Sequence, residues 1–595
     1  MANRKAQPPQ AESETWNKLP WRKLEQHVYR IQKRIYRASQ HGKKRTVHKL
    51  QKLLVKSEAA RLLAVRKVTQ DNQGKKTAGV DGVKSVQPQQ RLAMAELVHP
   101  KHWKHTRPKP VRRVWIPKPG KNEQRPLGIP VMYDRAKQAL AKLALEPEWE
   151  ACFEATSYGF RPGRSAHDAI TAIFLAIRYK PKFVYDADIK GCFDNINQEA
   201  LLEKLHTYPI MRHTIKGWLK AEVVDKWVFT PTRAGTPQGG VISPLLANIA
   251  LHGMEEAATG GIKQPKEPPI LIRYADDYII LHSDKDVLEQ AAKRVTDRLT
   301  SMGLAINPKK TRVTHTLTPY EGKVGFDFLS FAVQQFRVGK THTGKNTKGK
   351  PLGFKTIIKP RKEAIKTHNR DTNRKMKELR TAAQDELIGA LNPSIRGWCN
   401  YHGKVVSKKI FSGCDRTVFY QLRSWQKRRH PNKSARWRRV KYWHREDDKR
   451  WVFATPTKSR QGETYLYKLR QHASTPIQRH VKVRGTASPY DGNLIYWAQR
   501  LKDQHPLMKQ DEAKLLREQK GICPRCGLYF REGDQIETDH VLPLAMGGKD
   551  TLGNKMVYHR HCHDVKTAED LIHIAKFKAA QVSITDDHTL RSRMR

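Results

Sequence analysis

The chain has 595 residues, with 113 Lys plus Arg against 57 Asp plus Glu, a formal net charge of +56. That length excludes a single compact domain and implies roughly three to five modules, while the charge implies a polyanionic partner, since each neutralised phosphate releases counterions. At 38% hydrophobic residues the chain buries real cores, which argues against wholesale disorder, and no stretch approaches the roughly 20 apolar residues that span a bilayer. Residues 1–15 are polar and lack the apolar region of a secretory signal. Seven cysteines are too few and too uneven for a disulfide framework, as expected of a reducing compartment, and Cys523, Cys526 and Cys562 gather near the C-terminus.

From the N-terminus, apolar residues recur at helical spacing: Trp21, Leu24, Val28, Ile31 and Ile35, then Leu50, Leu53 and Leu54. Arg30, Lys33, Arg34 and Arg37 fall on the opposite face, so the pattern predicts two basic amphipathic helices broken near Gly42. GKKTAGVDG (74–82) reads as a loop. Between 110 and 335 short apolar strands (183–189, Ile270–Tyr274) alternate with helical runs (287–299), which predicts a mixed α+β unit.

Three acidic residues stand out from the basic background. Asp188 ends the apolar strand FVYDAD, and Asp276 and Asp277 lie between two apolar runs. The simplest geometry is a hairpin with both aspartates at its tip, where carboxylates crowd at a cost unless a divalent cation neutralises them. Two Mg2+ ions about 4 Å apart suit in-line phosphoryl transfer, one activating a 3′-hydroxyl and one holding the leaving pyrophosphate. A lone Asp-Asp pair is more often a solvated turn, so the surrounding residues decide. Upstream, WIPKPGKNEQRPLGIP (115–130) offers Lys118 and Arg125 to a triphosphate. TPQGGVISPLLANI (236–249) is a Gly-containing loop running into an apolar helix, and GLAINPKKT (303–311) follows.

Together with SYGFRPGRSAHDAI (157–170), DADIKGCFDNI (186–196), YADD and GFDFLSF (325–331), these blocks resemble, in order, those of group II intron-encoded reverse transcriptases. The resemblance covers most of 70–335 and implies a right-hand polymerase with fingers and palm. It implies Asp188 and Asp276 as the principal metal ligands, Asp277 as the third carboxylate, Phe193 as an aromatic gate against a ribose 2′-hydroxyl, and Gln238 in the nucleotide pocket. It implies Lys118 and Arg125 as the triphosphate grip and dNTPs as substrates. Lys309 or Lys310 is placed to give a proton to pyrophosphate, and spacing does not choose between them.

A Gly/Lys/Thr-rich stretch, 339–353, reads as a loop or linker, and 361–444 is helical, very basic and interleaved with aromatics. LNPSIRGWCNYH (391–402) resembles the maturase or X region of the same family, which implies a thumb and intron RNA binding. Trp398 and Tyr401 are equally readable as bundle core or as stacking surfaces; the run 423–444, with Lys or Arg at nearly every second position, suits nucleic acid. Weak segments near 455–462 and 484–492 read as linkers, and the resemblance implies a DNA-binding segment there.

The last module begins near Pro506. Cys523-x2-Cys526 and His559-x2-Cys562 form two knuckle-like pairs suited to tetrahedral Zn2+, with His561 as a substitute for His559. ETDHVLPLAMGGKDTLGNKMVYHRHCHDVKT, within 521–567, resembles the HNH nuclease motif. The resemblance implies His540 as general base, Asp539 and His563 as ligands of one Mg2+ or Mn2+, and Asn554 as orienting the base or joining the metal shell. Such a division suits phosphodiester cleavage, in which a neutral imidazole takes a proton while the cation bears the added phosphate charge.

The sequence therefore predicts five parts: a basic helical extension (1–85), polymerase fingers and palm (86–338), a thumb/maturase region (354–450), a DNA-binding segment (451–505) and a zinc-stabilised ββα-metal nuclease (506–595). The function it implies is an intron mobility protein: maturase on group II intron RNA, nicking of a DNA target, and target-primed reverse transcription, in a bacterial cytoplasmic or organellar ribonucleoprotein with no membrane association. A splicing factor with vestigial catalytic domains would show a damaged YADD or HNH set, and both are intact. A retron-like enzyme would lack the maturase and HNH regions, and Phe193 argues against an RNA-synthesising polymerase.

Overall fold

The computed structural model describes residues 16–593 apart from 118–122, 227, 237, 261–266, 340, 447–448, 459–461, 502–509 and 531–533. At the N-terminus, helices α1 (Trp21–Gln40) and α2 (Lys44–Lys56) turn at Gly42, whose φ of +64° suits a residue without Cβ. A third helix, α3 (Glu58–Arg66), follows a break at extended Ser57, where only two helices were expected. Arg30, Arg34 and Arg37 are exposed as predicted, but Lys33 is buried, and burial draws its ammonium down in pKa. The apolar stripe Val28, Ile31 and Ile35 joins Leu54 and Val65 in the main core with Leu140 and Ala144 of α4 (Met132–Glu150).

Strands β1 (Val111–Pro117) and β2 (Gln124–Ile129) pair antiparallel and join β4 (Val223–Asp225) and β5 (Val228–Thr230) in one sheet, order β2-β1-β4-β5. The catalytic candidates ride on a second sheet, order β6-β7-β3-β8, built from β3 (Phe183–Asp188), β6 (Ile270–Tyr274), β7 (Asp277–His282) and β8 (Arg312–His315). Strand β7 is a continuous apolar run because both faces are covered. Tyr278 and Ile280 face the main core with Leu288, Ala291 and Val295 of α6 (Lys285–Thr300). Ile279 and Leu281, on the alternate face, meet Ile170 and Ile173 of α5 (Ala166–Ile177).

Strands β9 (Phe326–Phe328), β10 (Phe331–Arg337) and β11 (Phe354–Pro360) form an antiparallel sheet in which β10 and β11 pair from Phe331↔Pro360 to Arg337↔Phe354. The stretch 339–353 is thus the loop of a hairpin and not a linker, and the boundary drawn at 338–354 cuts a single structural unit. Helices α7 (Lys362–Glu378), α8 (Gln384–His402) and α9 (Lys408–Arg429) follow, packed around Leu387, Leu391, Ile395, Phe411 and Trp425. Trp398 stacks on His368 at 4.5 Å. Tyr401 stacks on Phe331 at 5.1 Å and donates its hydroxyl to the Leu329 carbonyl at 2.9 Å. Both are therefore packing residues. The basic run emerges as α10 (Ala435–Tyr442), with Arg436, Arg439 and Lys441 exposed.

The segment 451–505 divides in two. Strands β12 (Trp443–Glu446), β13 (Lys449–Lys458) and β14 (Thr464–Lys468) form a sheet whose Phe453 joins the core of α7–α9. Residues 455–458 lie in β13. Downstream, 484–492 is held by α1 and α4: Tyr29 donates its hydroxyl to the Pro489 carbonyl at 2.5 Å, and the buried Tyr490 donates to Glu146 at 3.1 Å. The expected linker at 484–492 is a packed strap, because Tyr490 packs with Tyr29 and Tyr36, hundreds of residues upstream. It leads into α11 (Leu494–Leu501), which packs against α12 (Gln510–Glu518). The expected module start near Pro506 lies outside the described residues. Beyond it stand β15 (Ile536–His540), β16 (Lys555–His559) and α13 (Arg560–Arg593). Among the described residues no helix is long and apolar enough to cross a membrane.

Two candidate active sites

The first site sits at the end of the β6-β7-β3-β8 sheet. Tyr274 pairs with Asp277, which leaves a two-residue turn of Ala275 and Asp276, and Ala275 takes φ +58°. Asp188 pairs directly with Asp277 across β3 and β7, so the register alone brings the three carboxylates to one edge. Desolvation by the surrounding protein raises the pKa of Asp276, in the turn, and of Asp277, at the start of β7; the Asp188 charge adds to this for Asp276, and the Asp276 and Asp188 charges help push Asp277 up to about 7. Asp277 is exposed, so water screens part of that repulsion. The direction is that of a site short of positive charge. Lys310 supplies some of it, its Nζ lying 2.7 Å from Asp188 Oδ2, so of the two candidate lysines Lys310 is the one bonded to a site carboxylate. Arg125, on β2, lowers Asp276 electrostatically. Lys118 lies outside the described residues.

Phe193 sits in a short helix (Cys192–Asn195), edge-to-face with Phe160 at 6.2 Å. Its carbonyl accepts from Thr236 N–H at 2.7 Å, and the Gln238 amide donates to Asp194 at 3.1 Å. Thr236 and Gln238 are thereby laid on the short helix after Asp188. The fit needs glycine: a Cβ on Gly239 (φ +117°) would fall 2.7 Å from the Gly128 carbonyl.

Sequence reasoning missed the residues that seat the turn. Tyr158 N–H donates to the Arg273 carbonyl at 2.9 Å. The fully buried Arg273 donates to Asn248 Oδ1 at 2.9 Å and the Ala275 carbonyl at 3.2 Å, and Asn248 donates to the Gly159 carbonyl at 2.8 Å. A Cβ on Gly159 would lie 2.2 Å from Ala275 N. Gly159→Ala is therefore expected to push the turn out of place and slow nucleotide addition by about 10- to 100-fold, read by primer extension; wild-type rates would show that the turn tolerates the shift. Gly159 stood within the SYGFRPG block, but only the close approach of the two backbones gives it a reason.

The second site is a ββα unit. Strands β15 and β16 pair with Asp539 opposite Met556 and His540 opposite Lys555, and α13 carries Cys562 and His563. Cys523, Cys526, His559 and Cys562 have ligand atoms all within 4.8 Å of one another, the one such group of metal-binding side chains found among the described residues. His559 is buried within it, while the exposed His561 stacks on His559 from outside at 5.4 Å, which selects His559 as the fourth donor. Burial raises the Cys523 thiol, but N–H groups of Cys526, His559 and Arg525 outweigh it and bring it down to about 6. Burial and the neighbouring thiols push Cys562 up to about 12. Three thiols so close cannot all ionise without a cation, and the S3N donor set fits tetrahedral zinc.

Asp539 and His563 come within 3.6 Å, and Lys566 Nζ lies 3.2 Å from Asp539. His540 Nε2 is 3.0 Å from Asp550 Oδ1, a partner that orients the imidazole. The Asn554 side chain is engaged elsewhere: it donates to the carbonyls of Leu542 and Lys549 and accepts from Leu542 N–H. It locks the loop after His540 and acts on that residue through the backbone. The sequence reading did not single out Lys566 or Asp550; spacing on α13 puts His563, Lys566 and Asp570 on one face, but nothing local pairs that face with Asp539.

Four family models match in order along the chain: the N-terminal domain of reverse transcriptase (16–98), reverse transcriptase (RNA-dependent DNA polymerase) (116–355), the group II intron maturase-specific domain (365–443) and HNH endonuclease (523–569). Protein YkfC of Escherichia coli K12 is 30% identical over 298 residues, covering 43% of this chain and 76% of that protein. The chain belongs to the group II intron-encoded reverse transcriptase/maturase family. It carries an HNH domain. The group II intron-encoded protein LtrA of Lactococcus lactis subsp. cremoris is 38% identical over 196 residues, and this chain spans 31% of its length. Maturase-like protein 1 of Euglena gracilis is 27% identical over 316 residues, covering 52% of this chain and 64% of that protein.

Proposed function

We propose that this group II intron protein copies RNA into DNA at the Asp188–Asp276–Asp277 edge, assists splicing by binding intron RNA, and nicks DNA with its HNH module, as a cytoplasmic ribonucleoprotein acting in target-primed reverse transcription. The observation that carries this reading is the pairing of Asp188 with Asp277 beside a two-residue turn holding Asp276. Right-hand terms follow: β1, β2 and the N-terminal helices as fingers, the β6-β7-β3-β8 sheet as palm, and α7–α9 as thumb and maturase surface. The boundaries are redrawn so that the β10–β11 hairpin stays whole and the strap belongs to the polymerase unit.

Asp188 and Asp276 would hold Mg2+, which supplies activation of the primer 3′-oxygen and charge stabilisation on the triphosphate. Arg125 and Lys118 would bind the triphosphate, Gln238 would line the nucleotide pocket, and the Phe193 ring would exclude a 2′-hydroxyl. Lys310, already bonded to Asp188, would pass a proton to the departing pyrophosphate. In the nuclease, His540 would take the proton of the attacking water while Asp550 fixes its ring. Asp539 and His563 would hold Mg2+ or Mn2+, and Zn2+ would be structural.

The test is primer extension on an RNA template with dNTPs and Mg2+, run beside nicking of duplex DNA. His540→Ala is expected to nick at least about 100-fold more slowly, the usual contribution of a general base, while extending primers at the wild-type rate. Unchanged nicking would remove His540 from the mechanism.

A further inference from the structure

Helix α11, at the end of the strap, has two partners. On one side is the polymerase unit. Trp497 is wholly buried, with its ring 2.4 Å from where a Cβ on Gly163 would lie. Arg500 donates Nε to the Gly163 carbonyl at 3.0 Å and Nη2 to both carboxylate oxygens of Asp168 at 2.6 and 2.8 Å. Asp168 is solvent-inaccessible and also accepts from His480 at 3.0 Å and from Val483 N–H at 2.7 Å. Burial alone would raise its carboxyl; these partners hold it far below the usual range. On the other side of α11, Ala498 shares a core with Ala513, Leu516 and Val557 of the nuclease module.

What the strap grips is the segment that seats the polymerase turn. Gly163 lies four residues after Gly159, and the backbone at Gly159 lies directly against Ala275. Between them, Arg161 is anchored on Glu150 by a buried two-point ion pair of 2.8 and 2.9 Å. The path from α11 to Asp276 is therefore short and runs through the buried Arg161, Tyr158 and Arg273, close-packed groups that transmit displacement instead of absorbing it.

We propose that Trp497 and Arg500 are positioning residues of the polymerase site, acting from the strap through the 157–163 segment on the Ala275–Asp276 turn, so that α11 joins the two catalytic modules. The inference rests on the functional reading above. It separates from a purely stabilising role by what moves: a stabiliser changes melting and both activities together, a positioning residue changes turnover at one site.

The experiment uses the full chain with Arg500→Ala and Arg500→Lys, the latter keeping the charge toward Asp168 but not the fork that also reaches Gly163. Arg500→Ala is expected to lower kcat for nucleotide addition about tenfold, to leave the dNTP KM and DNA nicking within about twofold, and to speed amide hydrogen exchange at 157–163 and 270–278. Arg500→Lys should recover part of the rate. Unchanged exchange in those two segments, or nicking that falls as far as extension, overturns the proposal. If Arg500→Ala does not fold, Arg500→Lys decides on the same readouts. If the wild-type chain extends no primer, the functional reading fails, and exchange at the two segments still decides the inference.

Discussion

Asp276→Ala should make no detectable cDNA on an RNA template while leaving RNA binding and DNA nicking at wild-type levels. The turn residue contributes one of the carboxylates that would hold the cation, and a bound cation supplies several kcal/mol of transition-state stabilisation; at 1.36 kcal/mol per tenfold, the loss is on the order of 1,000-fold or more. The substitution should cost little in folding. Asp276 lies beside Asp188 and Asp277 in a site where like charges raise the carboxyl pKa values, so removing one relieves repulsion in the metal-free chain. Melting at or slightly above the wild-type temperature is the expected companion of the lost activity. Retained extension would move the metal site elsewhere, and a fall in melting temperature together with lost RNA binding would make Asp276 structural.

Cys526→Ser should abolish nicking, unfold residues from about 510 onward and leave primer extension intact. The nuclease module has small cores, one around Ala513, Leu515, Leu516 and Val557 and another around Cys523, Tyr558 and Cys562, and such a unit needs a staple. A structural zinc supplies an apparent ~10–16 kcal/mol that is folding free energy for the module it closes. Cys526 is the exposed member of the four, so the substitution removes a ligand with little loss of packing. The measurement is zinc content per chain together with a melting profile, in which a separate transition for the module should disappear. An unchanged profile, or a purified wild-type chain without zinc, would sink the assignment.

Much of both sites was legible because the signals are local. Two apolar runs on either side of Tyr-Ala-Asp-Asp specify a hairpin, and a hairpin with two turn residues puts Asp276 at its tip whatever the rest of the chain does. The Cys-x2-Cys and His-x2-Cys pairs likewise carry their own geometry. His559 against His561 was open because the two positions differ only in which faces inward, and that depends on the pairing of β15 with β16. Lys310 against Lys309 was open for the same reason: the 307–311 turn aims one ammonium at Asp188, and a turn's direction is set by what it docks on.

What stayed open at 339–353, loop or linker, and what was misread at 484–492 share a cause. Both have loop-like compositions, and loop composition says nothing about where the ends go. The first closes a hairpin because Phe331 meets Pro360. The second is pinned at its buried Ser488–Tyr490 because Tyr490 finds Tyr29, Tyr36 and Glu146, more than 300 positions upstream. The two roles read for Asn554, orienting the base or joining the metal shell, stayed open because its amide is engaged with backbone carbonyls that sequence cannot bring to it.

By itself the sequence determined the identity and order of the family blocks and set out the candidate carboxylates and the three candidate zinc-binding cysteines, since each rests on residue chemistry and on spacings that act over a few positions. Only the tertiary structure decided that Gly159 seats the catalytic turn, that Lys310 faces Asp188, and that the strap belongs to the polymerase. Those outcomes depend on burial between distant segments, where the hydrophobic effect and the pairing of buried polar groups select the partner, and neither acts along the chain.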